Sequence, residues 1–328
     1  MLKVAGGICK IPQPESAVSR SNPGRETGPI VQLFLNFGVG LKRLSHIIFL
    51  AACLLVISAV PSAAHSLKRI PAKAAVVTNS SGTVLYGKFA DARLAPASTV
   101  KLITAMVAID NLSPETKVTI SKNAAKVHSI KPRLQTDDEM TVSDLLHIAL
   151  MKSINSAAVA LAEATAGSEK DFVALMNLKA KEIGANNTLF SNASGLPKAG
   201  QYTTANDLTI ILKTALSYPL IREILGKKEY VVMTSAGRTI FLENTDDLLW
   251  QRDNIIGGKT GYTGTARHCF VCAINTEKGP LYTAVLGARS RSSLWRSTLL
   301  LEEIGMNPED AYAPAPIRPR RSKRKPVY

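Results

Sequence analysis

The feature that most constrains this chain is a lysine set into a run that is apolar on nearly every side, Val100-Lys101-Leu102-Ile103-Thr104-Ala105-Met106-Val107-Ala108-Ile109. A helix without a polar face has to be buried. The Lys101 amine goes into the interior with it, and an ammonium there needs a reason. Ser98 stands three residues earlier, after Pro96 and Ala97. Positions i and i+3 share a helix face, about 5–6 Å apart at Cβ, so the amine reaches the hydroxyl. A neutral lysine can take the proton of a serine and make it a nucleophile. The same spelling at Ser322-Lys323-Arg324-Lys325 sits in a basic tail, so spacing alone carries little weight.

Around this stretch the periodicity changes twice. Residues 74–78 and 83–87 flank the turn Asn79-Ser80-Ser81-Gly82 and read as a β-hairpin leading to Ser98. Thr141-Val142-Ser143-Asp144 is a capping box that starts a helix over 145–151. Further helices are expected over 157–163 (ending at Gly167), 172–183 (ending at Gly184) and 208–215. From Glu229 the texture is that of strands: 230–233 and 239–242 about a turn at Ala236-Gly237, then 268–274 and 281–286. A closing helix over 295–304 is expected to stop at Gly305. Strands at both ends with helices between them imply an α+β fold, an antiparallel sheet flanked by helices with an all-helical lobe inserted.

Two further constellations carry chemistry. Ser153-Ile154-Asn155 lies at a helix-to-helix junction; the hydroxyl can relay a proton and the amide can hold both a carbonyl and an amine. Gly257-Gly258-Lys259-Thr260-Gly261-Tyr262-Thr263-Gly264-Thr265 crowds glycines around a lysine and a threonine at a strand start, which lets a substrate backbone approach as an added strand. A phosphate-binding loop would place its lysine after a longer glycine-spaced run and then open a helix.

Ser98/Lys101, Ser153/Asn155 and Lys259/Thr260/Gly261, in that order, match the three-part signature of penicillin-binding proteins and class A β-lactamases. The wording around them, with Asn187-Thr188-Leu189-Phe190, Ser194-Gly195-Leu196-Pro197 and Tyr202-Thr203-Thr204-Ala205-Asn206-Asp207-Leu208, resembles the low-molecular-weight penicillin-binding proteins, the D-alanyl-D-alanine carboxypeptidase and endopeptidase family. The resemblance covers residues 72–305 and implies the DD-peptidase/β-lactamase-like fold. It also implies a serine-type carboxypeptidase acting on peptidoglycan stem peptides through an acyl-enzyme, with β-lactams as covalent inhibitors and no cofactor or metal. Ser98 would be the nucleophile and Lys101 its base, with the Lys101 pKa lowered by burial and by the Lys259 charge. Ser153 would pass the proton to the leaving amine and Asn155 would orient the peptide. Lys259 and Thr260 would hold the terminal carboxylate, beside Gly261, and the oxyanion would rest on the backbone amides of Ser98 and Tyr262. A carboxylate-binding arginine is expected after Val285-Leu286-Gly287-Ala288, and Arg289, Arg291 and Arg296 all qualify. The chain departs from the family at Ile154, where glycine is usual, and at Arg267-His268. Three alternatives stay open: an endopeptidase cutting peptidoglycan crosslinks, a class A-like β-lactamase with Glu182-Ile183-Gly184-Ala185-Asn186 as its deacylation motif, and a non-catalytic peptidoglycan-binding module.

The ends differ from the body in charge. Of the net +15, residues 1–64 hold six basic and two acidic side chains and residues 314–328 six basic and none acidic, leaving the remainder at about +5. No basic face interleaved with aromatics occurs in the body, so nucleic-acid binding is not indicated. Lys42-Arg43, the apolar segment 47–60 and Ser62-Ala63-Ala64 read as a signal peptide cleaved after Ala64. Export to a periplasmic or other extracytoplasmic site is therefore expected, with Leu50-Ala51-Ala52-Cys53 as a minor lipoprotein alternative. Translation is expected to begin near Val39 or Leu41. The expected division is thus an upstream extension plus signal peptide (1–64), the enzyme domain (65–308) and a basic Pro-rich tail (309–328) that can touch an anionic envelope surface. Cys9 and Cys53 leave with the signal. Cys269 and Cys272 lie three apart on a strand and point to opposite faces, which predicts buried free thiols.

Overall fold

Residues 70–309 are described by the structure, a computed structural model. The signal segment, Cys9, Cys53 and the tail arginines and lysines lie outside the described residues. The order is β1 (Ala74–Thr78), β2 (Val84–Lys88), a 3-10 turn (Ala97–Val100) running into α1 (Lys101–Asn111), β3 (Lys117–Thr119), α2 (Lys122–Lys126), β4 (Glu139–Thr141), α3 (Val142–Met151) and α4 (Asn155–Ala166). There follow α5 (Glu169–Glu182), α6 (Ala205–Ala215), α7 (Pro219–Gly226), β5 (Glu229–Met233), β6 (Thr239–Glu243), α8 (Asp247–Gln251), β7 (Ile255–Thr263), β8 (Arg267–Ile274), β9 (Leu281–Ala288) and α9 (Arg291–Met306).

The chain's two ends build one antiparallel sheet in the order β2-β1-β9-β8-β7. Both faces are covered, which is why its central strands read as unbroken apolar runs. Ala74, Val76, Cys269, Val271 and Ala273 face the helical lobe, while Ala75, Val77, Phe270, Cys272 and Ile274 face α9. The two cysteines are free and buried on opposite faces, as period-two alternation requires. The apolar α1 is the hub of the lobe and packs against α3, α4, α5 and α6. Thr141 and Asp144 close the capping box that starts α3, and Gly167, at φ 74°, ends α4.

Two expectations change. Gly305 does not stop the last helix, which continues to Met306. A Cβ there would meet Leu281 Cδ1 at 2.7 Å and Val77 Cγ2 at 2.9 Å, so the glycine lets α9 lie flat on the sheet. The strands at 230–233 and 239–242 form a separate two-stranded hairpin, β5-β6, outside the main sheet.

Candidate active site

The turn that carries Ser98 is shaped by the backbone on either side of it. Ala97 has φ 49°, a conformation that ordinary side chains avoid and that clusters at functional sites. Thr99 Oγ1 donates to Pro96 O at 2.8 Å and braces the turn. Two glycines then press against it. A Cβ on Gly261 would lie 2.9 Å from Ser98 N, and one on Gly195 would lie 1.9 Å from Ala97 O. Gly261 brings β7 alongside Ser98, and Gly195 brings the loop carrying Ser194 over Lys101.

Lys101 is fully buried, and its Nζ donates to Ser98 Oγ (3.1 Å), Asn155 Oδ1 (2.7 Å) and the Ser194 carbonyl (2.7 Å). Two of these partners can only accept. Once the amine loses a proton, its two remaining hydrogens stay on Asn155 and Ser194, and the lone pair is left facing the Ser98 hydroxyl. Burial, and then the charge of Lys259, hold the Lys101 pKa well below the usual lysine value, so the neutral form is within reach.

Ser153 sits between α3 and α4 at φ 63°, and its buried Oγ has no hydrogen-bond partner among the described residues. The hydroxyl therefore keeps both its donor and its acceptor capacity for a group entering the cleft. Ile154 is wholly buried, so the departure from glycine is absorbed by the core and leaves Ser153 and Asn155 on the cleft. Asn155 serves Lys101 more than the expected peptide: Oδ1 holds Nζ, Nδ2 donates to His128 O at 2.7 Å, and its N–H donates to Ser129 Oγ at 2.8 Å. One Nδ2 hydrogen remains for a substrate carbonyl.

On β7, Lys259 is fully buried and its Nζ donates to Thr260 O at 3.1 Å. Burial pulls its pKa down to about 7, against the opposing pull of Asp246. Burial pushes the Asp246 carboxyl up, and its Oδ2 has no hydrogen-bond partner among the described residues. Thr260 Oγ1 shares a 2.6 Å hydrogen bond with Thr245 Oγ1. Thr245 and Asp246 belong to no motif in the sequence. The one available signal was the polar run Asn244-Thr245-Asp246-Asp247 between strand and helix.

Ser98, Ser153, Asn155, Thr260, Gly261 and Tyr262 line one cleft of about 610 Å³, with His128, His268, Trp295 and Arg291. Tyr262 stands half-exposed at the rim, its ring 4.5 Å from that of His268. Of the three arginines, Arg291 reaches the cleft. Its Nε and Nη2 grip Asp247 at 2.9 and 2.6 Å, and Nη2 also donates to Thr245 O at 3.2 Å. Arg289 lines a different hollow, and Arg296 is not among the residues lining the cleft. Glu182, the β-lactamase candidate, is two-thirds exposed at the end of α5 and paired with Lys179, away from Ser98.

The stretches at 187–190 and 202–208, which resemble the family, serve as scaffold. Asp207 accepts from the Asn187 N–H and the Thr188 hydroxyl, both at 2.7 Å, and Thr204 caps α6.

A sheet built from both chain ends, a helical lobe, and a serine, a lysine and a second hydroxyl at their junction are the arrangement that serine–lysine acyl transfer requires. Comparison with known proteins narrows this. A family model described as D-alanyl-D-alanine carboxypeptidase, peptidase S11, matches residues 60–290, and the chain belongs to that family. D-alanyl-D-alanine carboxypeptidase DacF of Bacillus subtilis is 35% identical over 230 residues, 69% of this chain and 58% of that protein. The D-alanyl-D-alanine endopeptidase of Escherichia coli is 34% identical over 220 residues, 66% of this chain and 70% of that protein. The chain thus spans less than two thirds of the Bacillus relative. Among solved structures, the Streptomyces K15 DD-transpeptidase superposes with a TM-score of 0.69 at 30% identity, covering 74% of this chain and 99% of that one.

Proposed function

We propose that this chain is a serine-type D-alanyl-D-alanine carboxypeptidase that trims peptidoglycan stem peptides. The observation that carries the reading is the bonding of Lys101, whose two carbonyl partners leave its lone pair to Ser98. Neutral Lys101 takes the Ser98 proton as Oγ attacks the carbonyl between two D-alanines. The oxyanion forms against the backbone amides of Ser98 and Tyr262. Ser153 delivers a proton to the departing amine, and D-alanine leaves. Water then hydrolyses the ester on Ser98. Thr260, protonated Lys259 and Arg291 receive the substrate's terminal carboxylate, and Asn155 offers its second amide hydrogen to the peptide. A β-lactam presents a similar carbonyl on a leaving group that stays tethered, so it is expected to acylate Ser98 and remain.

Further parts of the reading concern the chain ends. Residues 1–64 carry a signal cleaved after Ala64, residues 65–308 form the enzyme, and the basic tail from 309 is a solvated extension whose cations offer a weak contact to anionic envelope material outside the cytoplasm. No helix of the described residues is long and apolar enough to cross a membrane.

Endopeptidase action on crosslinks is the second reading, favoured by the E. coli relative of that name, of which the chain covers 70%. The test is incubation with a pentapeptide and with a crosslinked muropeptide, following products by mass. Free D-alanine alone supports the carboxypeptidase, and monomers from the crosslinked substrate support the endopeptidase. Penicillin labelling that persists in Ser98→Ala refutes acyl transfer through Ser98, and release of neither product returns a binding module to the front.

A further inference from the structure

One end of the main sheet carries a row of cations that acyl transfer does not use. Lys73 directly precedes β1, Lys88 ends β2, Arg267 opens β8 and Arg289 follows β9. Antiparallel pairing brings these four termini together, because His268 pairs with Ala288, Ala74 with Leu286 and Ala75 with Lys88. The cations therefore stand one per strand across β8, β9, β1 and β2. At the usual spacing of about 4.8 Å between strands, the row spans about 14 Å across the sheet and runs diagonally, with Lys88 set inward of Lys73 and with Arg267 and Arg289 set outward of it.

The row borders a hollow of about 760 Å³ that no carboxylate lines. Lys88 is anchored there, its Nζ donating to Ile70 O at 2.8 Å and Ala72 O at 2.7 Å. Lys73, Arg267 and Arg289 make no ion pair among the described residues. Two features show that the row is built. The Lys73 stem lies over Gly287, where a Cβ would come within 2.7 Å of it. Arg267 holds φ 63°, a conformation that glycine or asparagine adopts with less strain, and it opens β8 beside the hollow.

Like charges this close repel one another within a Debye length of about 8–10 Å, so the arrangement is at its best with anions between them. A lone carboxylate is satisfied by a single guanidinium, whereas a row at strand pitch matches a ligand that repeats its charge. A hollow admits a chain better than it admits a flat layer of headgroups. We propose that this end of the sheet binds an extended polyanion with a phosphate repeat, such as a phosphodiester polymer, at a site separate from the Ser98 cleft and from the basic tail.

The experiment titrates short-chain inorganic polyphosphate into the full chain at low and at physiological salt, and repeats it with the double variant Lys73→Gln, Arg267→Gln. The variant is expected to bind about tenfold more weakly, with a salt dependence lower by about two charges. Thermal unfolding and penicillin acylation are read alongside to show that the variant is folded, and both are expected to stay unchanged. Lys122→Gln, Lys170→Gln, which removes the same charge from exposed helix positions, is expected to bind like the parent. Equal affinity in parent and first variant, an equal loss in both variants, or binding to phosphatidylglycerol vesicles without binding to polyphosphate would each overturn the proposal.

Discussion

Replacing Gly195 by alanine tests the claim that the loop over Lys101 is part of the catalytic apparatus. Gly195 holds φ 83°, and its Cβ would lie 1.9 Å from Ala97 O and 2.5 Å from Ala97 C. Ordinary contact begins near 3.4 Å, so loop and nucleophile turn must separate by about 1.5 Å, the difference between the two distances. Ser194 O, now 2.7 Å from Lys101 Nζ, would then lie about 4 Å away and cease to accept. One of the two bonds that aim the lone pair at Ser98 is lost. A misplacement of about 1 Å in a reacting group costs about 10²-fold in rate, and the left-handed conformation adds about 1–2 kcal/mol of instability for a residue with a Cβ. Gly82→Ala is the matched control, at φ 90° with nothing within 4 Å, and it pays only the backbone penalty. The assay is the second-order rate of acylation by a fluorescent penicillin, with thermal unfolding of each variant. Gly195→Ala is expected to acylate about a hundredfold more slowly and Gly82→Ala at the parent rate. Near-parent acylation by Gly195→Ala, or an equal loss in both, would refute the reasoning.

Four further outcomes follow from buried groups. Acylation should rise with pH as Lys101, whose pKa is lowered, sheds its proton, and carboxylate-bearing substrates should lose rate as Lys259 deprotonates above about 7. Because the Asp246 anion raises the Lys259 pKa, Asp246→Asn should move that falling limb to lower pH; an unmoved or alkaline-shifted limb counts against the pairing. Lys101→Met should abolish acylation, and its melting temperature relative to the parent should climb as pH falls from 10 toward 7. The sign follows from linkage: a lysine depressed on folding destabilises the fold below its unfolded pKa of about 10.4, so a pH-independent difference would contradict the burial effect. Ile154→Ala, which empties a wholly buried site, should destabilise the fold by about 2–5 kcal/mol while the folded protein keeps near-parent acylation. A large loss of acylation without loss of stability would show that Ile154 acts on the cleft.

What was legible in the sequence, and what was not, divides along a physical line. Ser98 and Lys101 were readable as a pair because a helix fixes the relation of i to i+3, and the cysteines because a strand alternates. The capping box of α3 and the end of α4 at Gly167 were readable for the same reason, since each is decided within a few residues. Gly305 was misread because a glycine near a helix end has two explanations, a stop or a close approach, and Leu281 and Val77, which decide between them, come from other strands. Arg291 could not be separated from Arg289 and Arg296 by order alone. Asp247, on a helix more than forty residues upstream, holds its guanidinium at the cleft. Asp246 was invisible for a deeper reason. Its role comes from sharing a dry interior with Lys259, and neither residue's neighbours in sequence announce that they are buried together. The chemistry of this site therefore rests on a readable local motif whose electrostatics only the folded chain supplies: Lys101 is lowered by burial and then by the Lys259 charge, and Lys259 is lowered by burial against the opposing pull of Asp246.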